Sequence, residues 1–184
     1  MSRAVVYPAM RRRARPVLAV VAVMLGIASC GGGTASAAAP QPAGKSPSEI
    51  ARMVCAKKAA GEVAEILGVT ASVTTPTWAD HLYSCDYQYS EGTMVLSVKE
   101  LSSWTQTYAY FDQLAKTLHK TTLIPGLGQG AFNVRDGSVV VRKDWKILLV
   151  DTSGLHGKVG SPPNSPSEAA LDVAAVILGC WGGD

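Results

Sequence analysis

The chain lacks the residue spacings on which much metal, hydrolytic and nucleotide chemistry rests. Its three histidines, His81, His119 and His156, are isolated. No two sit four residues apart on one helix face, so no metal site is expected. No Gly-x-Ser-x-Gly stretch is present to raise a nucleophilic serine on a strand-to-helix turn. A Gly-x-x-x-x-Gly-Lys-Ser/Thr loop is missing as well. The glycine-rich run Gly126-Leu127-Gly128-Gln129-Gly130 leads into a strand-forming stretch, whereas a phosphate cradle opens onto a helix N-terminus. These absences argue against the common metalloenzyme, serine-hydrolase and P-loop classes. No cofactor is expected, and the chain reads as a non-enzyme.

A long apolar run is also missing. The most apolar stretch, residues 17–29, offers about a dozen apolar residues, against the roughly 20 that a bilayer-spanning helix needs. Ahead of it stand Arg3, Arg11, Arg12, Arg13 and Arg15, with no acidic residue among the first 29. A basic start, a short apolar core and then small residues make the layout of a secretory signal. The export route stays open, because Arg11-Arg12-Arg13 resembles a twin-arginine signal while Ala14-Arg15-Pro16 departs from it.

Ile27-Ala28-Ser29-Cys30 closes that signal and resembles the lipobox of bacterial lipoproteins. The resemblance implies cleavage before Cys30, diacylation of its sulfur, and residence on the outer face of the cell membrane. The alternative is an ordinary secretory signal cut after Ala37-Ala38-Ala39, which would discard Cys30. One acyl chain anchors only marginally, at about 0.8 kcal/mol per buried methylene, and two chains suffice. Residues 31–47 hold no large apolar side chain, so they cannot bury enough surface to order themselves. A flexible 17-residue tether spans about 20–25 Å, enough to lift a domain clear of lipid headgroups. The expected organisation is a signal peptide over 1–29, a lipidated cysteine and flexible linker over 30–47, and one domain over 48–184.

Signal removal also changes the charge. The whole chain carries 17 basic and 14 acidic residues, a net +3. Taking away five arginines leaves 12 basic residues against 14 acidic, a net −2. The longest basic cluster that remains, Arg142-Lys143-Asp144-Trp145-Lys146, reads as a hairpin turn. No one-sided basic face is present to hold nucleic acid.

The domain alternates helical and strand periods. Ser-Pro-Ser-Glu occurs at 46–49 and at 165–168. In each, the first serine can cap, proline suits the first helical position, and glutamate completes a capping box. The first opens a helix that Gly61 would break in two. The second opens one with a stripe at Leu171, Ala174, Ala175 and Leu178. A helix between them carries Trp104, Tyr108, Phe111, Ala115 and Leu118 as its core stripe. Residues 83–89 alternate, Ser90-Glu91-Gly92 turns the chain, and residues 94–99 return as a hairpin. The inward set is Tyr83, Cys85, Tyr87 and Tyr89. A second group of strands follows near 131–151. The fold class is α+β: a single, mostly antiparallel sheet of five to seven strands packed with about three helices.

Besides Cys30, three cysteines remain: Cys55, Cys85 and Cys180. Export exposes them to an oxidising compartment, and spacing alone allows three pairings. Val54-Cys55, Ile66-Leu67-Gly68, Ser84-Cys85-Asp86-Tyr87 and the turn Pro125-Gly126-Leu127-Gly128-Gln129-Gly130-Ala131-Phe132 together resemble a family of small actinobacterial lipoproteins of unknown function. That resemblance implies a Cys55–Cys85 disulfide and leaves Cys180 as a free or buried thiol.

Candidate binding residues are Gly126 and Gly128, where a bare backbone can approach a ligand, with Trp78 and Trp145 beside polar neighbours. A pocket is expected against the 124–132 loop. The chain reads as a membrane-anchored envelope module that binds a small molecule, a wall component or an envelope protein. The alternatives are a structural or sensory domain of a membrane complex, and an envelope hydrolase.

Overall fold

The computed structural model describes residues 39–181. The expected signal peptide, Cys30 and the first part of the linker lie outside the described residues. The end of the linker is tied down: the Ala43 N–H donates to the Leu101 carbonyl at 3.1 Å, and the Trp78 indole N–H donates to the Lys45 carbonyl at 3.1 Å.

The chain then forms α1 (Glu49–Met53), α2 (Lys57–Leu67), β1 (Ser72–Val73), β2 (Thr77–Ala79), β3 (Leu82–Tyr89) and β4 (Gly92–Glu100). It continues with α3 (Trp104–Thr117), β5 (Lys120–Leu123), β6 (Gly130–Val134), β7 (Val139–Lys143), β8 (Lys146–Leu155) and α4 (Pro166–Cys180). All eight strands join one antiparallel sheet in the order β1-β3-β4-β8-β7-β6-β5, with β2 pairing β3 beyond β1. The fold is α+β. The strand count exceeds the expected five to seven because the short β1 and β2 both pair along one edge of β3. Two meanders, β1–β4 and β5–β8, meet at the β4–β8 seam, and α3 carries the chain between them. Among the described residues no helix is long and apolar enough to cross a membrane.

Each face of the sheet has its own cover. α1, α2 and α4 bury one face, where Tyr87, Met94, Leu96, Val141, Leu148 and Val150 meet Val63, Leu67, Val173 and Ile177. α3 covers part of the other, against Phe132, Val140 and Ile147. Period-two alternation dictates this division. Cys85 and Tyr87 are buried, while Asp86, Ser84 and Gln88 take the opposite side, paired with Val95, Ser97 and Thr93.

Local details depart from the sequence expectation for tertiary reasons. The first helix is capped by Ser48, whose hydroxyl oxygen accepts from the Ala51 N–H, and Ser46 plays no such part. The buried Glu100 carboxylate selects that start, since it accepts from the Ser48 hydroxyl and N–H. The break between helices falls at residues 54–56 and not at Gly61, because the Val54 carbonyl is taken by the Tyr87 hydroxyl at 2.7 Å. α4 forms the expected capping box between Ser165 and Glu168, but its buried stripe is Ala169, Ala170, Val173, Ala174 and Ile177, with Leu171 left exposed. α3 packs Phe111, Ala115 and Leu118 of its expected stripe against the sheet, but buries Thr107 and leaves Trp104 and Tyr108, at its start, exposed.

Candidate functional site

The glycine-rich loop lies flat against β7. Gln129 N–H donates to the Arg142 carbonyl at 2.8 Å, and the Arg142 Nη2 donates back to the Gln129 carbonyl. Gly128 sits at φ +56, where a Cβ would come within 2.7 Å of Val141 Cγ1. Its glycine is therefore needed for close packing of the loop on the strand. Above Gly126 a Cβ would meet nothing within 4 Å.

The four candidate binding residues share one end of the sheet but spread over its width. Trp145 stands in the β7–β8 turn and packs into the α3-side cluster, with its indole N–H buried and without an acceptor. Trp78 lies on β2 at the far edge, with β3, β4, β8 and β7 between it and the loop. Its ring meets His81 edge-on at 5.8 Å, and its N–H serves the linker. The structure does not bring these four residues into one place.

A cleft among the described residues lies elsewhere, away from the loop where a pocket is expected. It occupies about 480 Å³ between α2 and residues 70–74. Sequence explains the opening. Lys57, Ala60, Gly61 and Ala64 follow helical spacing on one face of α2, and three of the four are small. A Cβ on Gly61 would meet nothing within 4 Å. Thr70, Thr74 and Cys55 complete the lining with Ala71 and Val73. The volume lies within the range of small-molecule sites, about 300–1,000 Å³.

The disulfide fixes the geometry of this cleft. Cys55 and Cys85 are bonded, with their Cα atoms 5.9 Å apart, so the turn that starts α2 is stapled to β3. Electrostatics favour an anion at this end. α2 has no side-chain cap at Ala56 and no acidic residue in its first turn, and its positive dipole end adds to Lys57 and Lys58. Among the residues lining the cleft, Lys57 is the charged one and no histidine or carboxylate is present. Such a surface can hold a ligand, and it brings no acid–base pair to bear on it.

Sequence reasoning missed this cleft. Its one signal was the run Ala59-Ala60-Gly61 inside an amphipathic helix, which reads equally as ordinary helix packing. Cys180 is a further correction: it is disulfide-bonded and not a free or buried thiol. Among the described residues no three of His, Cys, Asp and Glu gather where a metal could bind. No family model, no curated protein and no solved structure matches this chain.

Proposed function

We propose that this chain is an envelope lipoprotein, held on the outer face of the cell membrane by a diacylated Cys30, whose folded domain is a non-catalytic binding module. The N-terminal layout and Ile27-Ala28-Ser29-Cys30 support the anchor. The observation that carries the binding role is the cleft of about 480 Å³ beside α2. Its apolar and hydroxyl lining with one cation suits a small molecule with an apolar body and one anionic group.

Gly61→Phe tests this without threatening the fold. The position is mid-helix with open space above it, and replacing glycine by phenylalanine favours the helix by about a few tenths of a kcal/mol. The full chain is screened by thermal shift against fatty acids, wall fragments and short anionic metabolites. A bound ligand stabilises by RT ln(1 + [L]/Kd). A hit that Gly61→Phe abolishes is expected. A silent screen, or hits indifferent to Gly61→Phe, would refute the cleft as the binding site.

A further inference from the structure

A second site stands on the other face of the sheet and rests on separate observations. Arg142, near the end of β7, is 8 % exposed. Its guanidinium lies 4.4 Å from the centroid of Tyr108 and 5.7 Å from that of Phe111. It backs onto Gly130, where a Cβ would come within 3.2 Å of Nη2. Nη2 donates to the Gln129 carbonyl, but the Nε–H is buried with no acceptor. Among the described residues no carboxylate pairs with it.

Burying a cation costs several kcal/mol unless it is paired. One carbonyl and two ring faces offset part of that cost, and the guanidinium keeps donors to spare. Its outer neighbour is Tyr108, half exposed, whose ring lies 6.1 Å from that of Trp104, itself 38 % exposed. Surface rings change rotamer in picoseconds to nanoseconds, so Tyr108 is a cover that can move aside. Tryptophan, tyrosine and arginine are the residue types that concentrate binding energy at protein interfaces, and a carboxylate matches the guanidinium fork bidentately.

We propose that Arg142, Tyr108 and Trp104 form a docking point for an acidic, apolar-flanked segment of a partner protein. Its carboxylate reaches the Arg142 fork while its apolar neighbours cover the two rings.

The test uses the full chain labelled with ¹⁵N, reading the Arg142 Nε–H and Trp104 indole signals. The probe is an acetylated, amidated tripeptide of leucine, glutamate and leucine. Both signals should move saturably, with binding at least about tenfold weaker for the glutamine version, a loss of about 1.4 kcal/mol. Trp104→Ala and Tyr108→Ala, changes at exposed positions, should each weaken the peptide several-fold even if Arg142→Gln fails to fold. A silent Arg142 signal would overturn the proposal. So would equal binding of the two peptides, or inorganic phosphate binding as tightly as the peptide, which would mark a free-anion site.

Discussion

The Tyr87 hydroxyl donates to the Val54 carbonyl at 2.7 Å, and that bond ties the central sheet to the point where the first helix ends. Two residues along β3, Tyr89 carries a buried hydroxyl with no partner. The pair makes an internal control. Tyr87→Phe should cost about 1–3 kcal/mol, because it leaves a carbonyl without its donor. Tyr89→Phe should be neutral or stabilising, since it removes an unmatched polar atom. Urea unfolding of both variants checks the contrast.

The same two residues predict alkaline instability. Burial pushes Tyr87 up to about 12. Tyr89 is raised further, by burial first and then by the charge on Tyr87. Unfolded tyrosine ionises near pH 10. Below that value both states are protonated and this contribution is fully present. As pH rises from about 10 toward 12 the unfolded chain releases protons first, so stability falls. Tyr89→Phe should reduce that fall, and unfolding midpoints across the range measure it.

Glycine substitutions should split by site. Gly61→Ala should stabilise by about 0.4–1 kcal/mol, because the position is helical and open. Gly128→Ala should destabilise by more than this gain, given φ +56 and the contacts with Val141 and Arg142. Thermal unfolding of the two variants, with the Arg142 Nε–H signal as a local reporter for Gly128→Ala, checks both.

The disulfide should be worth about 3–4 kcal/mol in the chain-entropy model for a loop of this length, 30 residues apart in sequence. Cys55→Ser should lose that amount in denaturant unfolding. Unreduced peptide mapping should recover Cys55 joined to Cys85, and recovery of either joined to Cys180 would contradict it.

Features set by local chemistry were legible in the sequence. The alternation around Cys85, the turn at Ser90–Glu91 and the Ser165–Glu168 capping box each follow from neighbours within a few residues. Features set across space were not. The first turn of the α3 stripe departs from the expectation because Thr107 is buried with its hydroxyl donating to the Ser103 carbonyl at 2.8 Å, and because Tyr108 lies over the buried Arg142 guanidinium. In sequence Arg142 looks like a turn cation, and only the loop folding over it buries the charge. The cleft beside α2 was hidden for the same reason. Small residues on a helix become a wall only when residues 70–74 stand opposite them.

The central claim is an anchored module, and the chemical state of Cys30 tests it most directly. Mass analysis of the N-terminal peptide from the membrane fraction should show a chain that begins at Cys30 and carries a diacylglyceryl group. Cys30→Ala should abolish that species and either release the protein or leave it uncut. A Cys30 recovered without lipid, whether as a thiol or joined to another cysteine, or a Cys30→Ala protein processed and retained like the original, would contradict the account.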